Sequence, residues 1–193
     1  EMIEMAAKPD PEDRNLLFEE LNRAKPNEDV LEALCNGDPS RIKRKDKAGH
    51  CALHIACNHI HSMESDILMF LMERDPEAIK TSSKYGFLPL HKAVSANLCH
   101  KRPPNMDNFA LIMEAYPAAV KKKTSKNQYP LHLAISEPSR RLSSDVVEML
   151  INTFPKAVQR QDCYGHLPLH HSCRKTGPEE QIIFEALIEA YPE

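Results

Sequence analysis

The stretch Tyr85-Gly86-Phe87-Leu88-Pro89-Leu90-His91 has three counterparts along the chain: Ala48-Gly49-His50-Cys51-Ala52-Leu53-His54, Lys126-Asn127-Gln128-Tyr129-Pro130-Leu131-His132 and Tyr164-Gly165-His166-Leu167-Pro168-Leu169-His170. Their closing histidines, His54, His91, His132 and His170, stand 37, 41 and 38 residues apart. Recurrence at a period of about 20–50 residues marks units that cannot bury an apolar face alone and shelter it against their neighbours. The expected architecture is therefore an all-α helical-repeat solenoid, and the bias is towards binding.

A second cassette follows each block: Arg74-Asp75-Pro76-Glu77-Ala78-Ile79, Ala115-Tyr116-Pro117-Ala118-Ala119-Val120, Thr153-Phe154-Pro155-Lys156-Ala157-Val158 and the shorter Ala190-Tyr191-Pro192-Glu193. Ahead of these prolines stand Leu68, Leu71 and Met72; Phe109, Ile112 and Met113; Val147, Leu150 and Ile151; and Phe184, Leu187 and Ile188. Offsets of three and four residues put each trio on one helical face, and the proline stops the helix. The register recurs once more with Leu31, Leu34 and Cys35 ahead of Pro39. This predicts a fifth, degenerate unit whose first helix covers 14–25.

Each unit reads as turn, short helix, loop, longer helix and proline stop. Pro89, Pro130 and Pro168 suit the first position of the short helix, where an N–H would lack an intrahelical partner in any case. Gly49, Gly86, Gly165 and Asn127 share one turn position, which predicts a positive φ there. Three residues earlier, Asp46, Ser83, Thr124 and Asp162 each offer a short side-chain oxygen to nearby backbone N–H groups.

These units resemble ankyrin repeats, whose signature contains Thr-Pro-Leu-His-x-Ala. The matching stretches are Leu88-Pro89-Leu90-His91-Lys92-Ala93, Tyr129-Pro130-Leu131-His132-Leu133-Ala134, Leu167-Pro168-Leu169-His170-His171-Ser172 and the looser Cys51-Ala52-Leu53-His54-Ile55-Ala56. The resemblance covers 46–193 well and 14–45 weakly. It implies helix-turn-helix units joined by hairpin-like turns: an N-terminal cap with the degenerate repeat at 1–45, then repeats at 46–82, 83–123, 124–161 and, truncated, 162–193. The chain departs from the family in three ways. The threonine is replaced by Cys51, Leu88, Tyr129 or Leu167, which removes a capping oxygen worth about 1 kcal/mol. A residue-plus-proline stop replaces the glycine that usually ends the second helix. The units also exceed the family's length of about 33 residues. The excess falls between helices, at 58–65, 95–107, 136–145 and 174–181, where loop closure grows only logarithmically with length.

With 41% hydrophobic and 27% charged residues, the composition is that of an ordinary folded domain. No run of 18 apolar residues occurs, so no membrane partner is expected. No secretory leader is visible. A chain that starts at Glu1 and stops inside a cassette is expected to be part of something longer. Six cysteines without a disulfide framework point to a reducing, intracellular setting, cytoplasmic or nuclear.

The net charge of −3 hides an asymmetry, because residues 1–39 carry 11 acidic and 4 basic side chains. The basic groups crowd the inter-unit turns: Arg41, Lys43, Arg44, Lys45 and Lys47; Lys80 and Lys84; Lys121, Lys122, Lys123 and Lys126. In ankyrin-like arrays such turns project side by side as fingers that commonly meet a partner. The lysines read either as a solubilising fringe or as a basic ridge steering an acidic protein segment. Nucleic acid is the weaker partner class, since no recognition motif is present. Around the lysines lie His50, Tyr85, Phe87, Gln128, Tyr164 and His166 at equivalent finger positions. Aromatic side chains on exposed turns are disproportionately binding anchors, although they can also pack on the neighbouring turn. On the short helices the resemblance puts Ile55, Lys92, Leu133 and His171 towards a partner, followed by Asn58, Ser95, Ser136 and Arg174.

Two histidine–cysteine clusters raise a metal question: Cys57 with His59 and His61, and Cys163 with His166, His170, His171 and Cys173. Neither contains a paired Cys-x-x-Cys, and Pro168 is expected to leave His166 in the turn, off any helical face shared with His170. Cys57, Val94, Ile135 and Cys173 occupy one slot, which reads as a small apolar hole. The recurrent histidines read as hydrogen-bonding links between adjacent units. No phosphate-cradling glycine run or Gly-x-Ser-x-Gly occurs, and Cys163 with His166 lacks an orienting third group. The expectation is a non-catalytic protein-interaction scaffold with no cofactor and no metal. The alternative is a regulatory or structural module of a larger protein or assembly. Self-association through the last repeat is the further possibility, since Ile182, Ile183, Phe184, Leu187 and Ile188 have no successor here.

Overall fold

In a computed structural model, which describes residues 15–23, 25–96, 105–136, 143–173 and 177–191, the proline-led blocks start helices as their chemistry requires. Pro89, Pro130 and Pro168 are the first residues of α5 (Pro89–Val94), α7 (Pro130–Ser136) and α9 (Pro168–Ser172). The equivalent helix of the first strong unit is α3 (Ala52–Asn58). Longer helices follow each: α4 (Ser65–Arg74), α6 (Met106–Ala115), α8 (Ser144–Thr153) and α10 (Pro178–Glu189). Ahead of them lie α1 (Leu16–Leu21) and α2 (Glu28–Gly37), the counterpart of the degenerate unit. The first helix expected over 14–25 is thus shorter, and Arg14 and Ala24 lie outside the described residues. Ten α-helices and no strand occur among the described residues, so the chain is all-α.

Three of the longer helices, α2, α6 and α8, begin on side-chain caps. Asn27 accepts from the Val30 N–H, Asn105 from that of Asn108 and Ser143 from that of Val146. Three of them end one residue before a proline that opens a 3-10 turn, at Pro39–Lys43, Pro117–Lys121 and Pro155–Gln159. The intervening residue is driven out of the helical region by the proline ring; Tyr116 sits at φ −147° and Phe154 at φ −142°.

A helix of five to seven residues is unstable alone in water, so the short helices persist through packing. They pack on one another in chain order, α3 on α5, α5 on α7 and α7 on α9. The longer helices form a second series, α4 with α6, α6 with α8 and α8 with α10, and each pair α3–α4, α5–α6, α7–α8 and α9–α10 is also in contact. One apolar core runs through these contacts from Leu17 to Leu187. Full burial of side chains such as Leu68, Leu71, Phe109 and Ile112 stabilises each helix by about 1.5–3 kcal/mol per residue. A buried asparagine ties two units together: Asn108 donates to the Ile60 and Met63 carbonyls at 2.9 and 2.8 Å and accepts the Ser65 hydroxyl at 2.8 Å.

Four expectations change. In α10 the buried residues are Ile183 and Leu187, whereas Phe184 and Ile188 are 36% and 49% exposed, because no described helix covers their side. Cys173 is exposed, although its counterparts Cys57 and Ile135 are fully buried. Arg41, grouped with the turn lysines, is buried and donates to the Leu34 carbonyl at 3.1 Å. The segment 178–181 belongs to α10, so the added length there is shorter than expected. Of the other insertions, 97–104 and 137–142 lie outside the described residues, as does Arg174.

Candidate functional site

The turns preceding the short helices are built alike. In each, the first residue's N–H and carbonyl are used within the turn: Ser83 N–H donates to the Phe87 carbonyl at 2.8 Å, and the Ser83 carbonyl accepts from Gly86 N–H at 3.0 Å. The Ser83 hydroxyl accepts from the N–H groups of Tyr85 and Phe87. Asp46, Thr124 and Asp162 do the same for their own turns through carboxylate or hydroxyl oxygens. The turn position is left-handed at Gly49 (φ 81°), Gly86 (φ 75°), Asn127 (φ 54°) and Gly165 (φ 77°), as the residue choice predicts.

Successive turns are then stitched together. Lys84 N–H donates to the Ala48 carbonyl at 2.9 Å, Ser125 N–H to Tyr85 at 3.0 Å and Cys163 N–H to Lys126 at 2.9 Å. This produces a continuous row of four turns. A Cβ on Gly86 would lie 2.9 Å from the Ser125 backbone nitrogen, while one on Gly165 meets nothing within 4 Å. Gly165→Ala is expected to cost about 1 kcal/mol from the left-handed backbone alone. Gly86→Ala adds a backbone clash across two turns, a further ~1–3 kcal/mol. Urea midpoints measured on both variants check the order, and equal losses would contradict the stitched row.

Behind the row, each recurrent histidine fastens the start of its short helix, and the first three also bind backbone at or just ahead of the next turn. Its Nδ1 accepts the N–H of the residue three before it: Cys51 for His54, Leu88 for His91, Tyr129 for His132 and Leu167 for His170. The imidazole thereby supplies the half of a capping box in which the third helical residue reaches back to the backbone N–H of the residue before the helix. An accepting Nδ1 puts the proton on Nε2. That nitrogen donates to the carbonyl of Phe87, Lys122 or Arg160 for the first three histidines, at 2.8, 3.2 and 3.0 Å. Burial disfavours the imidazolium and pushes His54 and His91 down to about 4.

The candidate residues fall into three groups. Lys43, Lys45, Lys47, Lys84, Lys121 and Lys126 are exposed along the row, and Tyr85 and Tyr164 stand out of it at 59% and 68% exposure. Phe87, Lys92, Gln128, Arg44 and His50 are half-buried, and all but Gln128 engage in ring contacts or ion pairs. Lys92 Nζ lies 5.6 Å from the Phe87 ring centre, Phe87 meets His91 edge-on, Arg44 pairs with Asp38 at 2.9 Å and His50 with Asp46 at 2.9 Å. His171 and Leu133 correct the expectation of partner-facing side chains, since they are 8% and 5% exposed. His171 turns inward because Asp162 accepts its Nε2 proton at 3.0 Å.

Neither of the two histidine–cysteine groups weighed in the sequence comes together as a whole among the described residues. Cys57 is buried, His59 donates to Asn22 at 3.1 Å and His61 packs on Phe109, so each is engaged with a different neighbour. Burial raises the Cys57 and Cys51 thiols, which disfavours the thiolate a nucleophile needs. Cys163 and Cys173 are exposed and free. The residue missed in the sequence is Asp162, whose carboxylate lies with His166 and His171. Its only local signal is the aspartate at the turn's first position, which also serves the turn itself.

No protein-family model matches the chain, and neither does any curated protein. No helix among the described residues is long and apolar enough to cross a membrane.

Proposed function

We propose that the chain is an ankyrin-like solenoid that binds another protein through its row of turns. The observation that carries this reading is the pair of tyrosines, Tyr85 and Tyr164, held out from a hydrogen-bonded row and flanked by exposed Lys84 and Lys126. A solubilising fringe has no need of large apolar rings at 59% and 68% exposure. Rigid turns present those rings with little conformational entropy left to lose, which is what anchors require. The lysines favour an acidic partner segment and contribute mainly to its rate of association.

Helices packed in series, in-register turns and recurrent histidines bonded alike to backbone at or just ahead of the next turn support the ankyrin-like assignment. They leave no chemistry to assign, and the reading is non-catalytic. Joint replacement Tyr85→Ala and Tyr164→Ala is expected to abolish capture of a protein retained by the unaltered chain from native extract, with a loss of about 2 kcal/mol or more per anchor. Identical captured sets, compared by mass spectrometry, would sink the assignment of the turns.

A second reading, a module of a larger protein or assembly, is favoured by the uncovered side of α10. There Ile182, Phe184, Ile188 and Tyr191 are 53%, 36%, 49% and 44% exposed.

A further inference from the structure

The three positions represented by Asp162, His166 and His171 occur in every unit, and their occupants can be compared directly. They are Asp46, His50 and Ile55 in the first strong unit, Ser83, Phe87 and Lys92 in the second, and Thr124, Gln128 and Leu133 in the third. Only the last unit carries a metal-ligating side chain at all three. The turn brings position 166 back over position 162, and α9 points position 171 at the same carboxylate. One carboxylate oxygen and one nitrogen from each ring lie within 4.8 Å of one another.

The hydrogen bonding also differs from the unit that holds two of the three. In the first, Asp46 Oδ2 is taken by His50 Nδ1 at 2.9 Å. In the last, Asp162 Oδ2 turns to His171 Nε2 at 3.0 Å, and no hydrogen bond to the His166 ring occurs among the described residues. The rings of His166 and His171 stand perpendicular, at 89°, with centroids 5.4 Å apart. Asp162 Oδ1 meanwhile accepts the Tyr164 and His166 N–H groups at 2.9 and 3.0 Å, which fixes the carboxylate while Oδ2 faces the histidines.

We propose that Asp162, His166 and His171 form a binding site for a borderline divalent transition-metal ion, of which Zn2+ is the test case. Two imidazoles and one carboxylate are a donor set that such ions take, with bonds of about 2.0–2.2 Å. Tetrahedral ligands at that radius are about 3.3 Å apart. The Asp162–His171 pair therefore opens by about 0.3 Å, and His166, on a solvent-accessible turn, swings in. Ligation uses the His171 Nε2 lone pair, so the proton now shared with Asp162 moves to Nδ1 and the ion replaces it. Solvent water supplies the remaining ligand. His132 and His170 are excluded from the set. Both nitrogens of His132 are already bonded, to the Tyr129 N–H and the Arg160 carbonyl. His170 Nδ1 is held by the Leu167 N–H. A bound ion would clamp the last turn to α9. This goes beyond the protein-binding reading and can be tested without any partner.

The test is titration of the chelator-stripped chain with Co2+, read by its visible absorption, followed by displacement with Zn2+. One equivalent is expected, together with a saturable rise in melting temperature. His166→Ala, which removes no side-chain hydrogen bond among the described residues, is expected to lower affinity at least about tenfold with an unchanged circular dichroism spectrum; loss of an outer partner alone costs that much. Asp162→Asn should behave alike, whereas His50→Ala and the pair Cys163→Ser, Cys173→Ser should leave affinity unchanged. Absence of uptake, or binding that survives His166→Ala and disappears with the cysteines, overturns the proposal.

Discussion

Replacement of His91 by alanine is expected to destabilise the chain by about 4 kcal/mol, while the same change at His170 costs about 1 kcal/mol. Both histidines cap a short helix through Nδ1, accepting the Leu88 N–H at 3.0 Å and the Leu167 N–H at 2.9 Å. The difference lies in what surrounds them. His91 is fully buried, and its Nε2 also donates to the Lys122 carbonyl at the end of its own unit, just ahead of the next turn. Truncation leaves the buried Leu88 N–H unsatisfied, at about 1–3 kcal/mol. It also empties a close-packed site, for which the protein relaxes only partly. His170 is exposed, and water replaces its ring, so only the cap is lost. A domain stable by about 5–15 kcal/mol tolerates the second change readily and the first barely. Chemical denaturation of the two variants in chelator-containing buffer measures both values. Equal losses would show that the burial of His91 and its second hydrogen bond contribute nothing beyond helix capping.

Acid should unfold the protein over a window set by the same side chains. Burial is the leading cause that depresses His54 and His91 from 6.5 to about 4, opposed in part by their hydrogen bonds to the Phe87 and Lys122 carbonyls. Around His54, His50 and Lys92 add to the depression and Asp46 opposes it; around His91, His54 adds to it. A base whose folded value is depressed takes up its proton more readily when unfolded. Its stabilisation is therefore complete above about 6.5 and is lost progressively as pH falls to about 4. Each histidine withdraws up to about 1.4 kcal/mol per pH unit in that interval, at most roughly 7 kcal/mol for the two together across all of it. The Asp38 carboxylate, held low chiefly by the Ser40 hydroxyl, titrates below this interval and does not mask it. Urea midpoints followed from about pH 7 to pH 5 are expected to fall steadily, and a flat profile would contradict neutral, buried imidazoles.

The positive φ of Asn127 and the three glycines, the side-chain oxygens of Asp46, Ser83, Thr124 and Asp162, and the proline-led helices all depend on contacts within about five residues. Local sequence controls such contacts almost completely, so the all-α character and the turn chemistry could be read directly. The helical faces of α4, α6 and α8 were legible for a related reason, since a three-and-four spacing admits only one apolar side.

What the sequence could not settle is which side of a helix meets a neighbour and which meets water. Phe184 and Ile188 carry the same spacing as Leu68 and Met72, yet lie open because burial belongs to the neighbour as much as to the residue. Arg41 was grouped with solvated lysines, but a guanidinium is worth burying once a carbonyl such as that of Leu34 is within reach. His171 follows a recurrent histidine and was expected to face outwards, until the turn carrying Asp162 closed over it. Periodicity thus determined that there are helices, where they start and stop, and how the turns are bonded. Tertiary packing alone decided which imidazoles are dry and which carboxylate they meet, because those proximities join residues that only folding brings together.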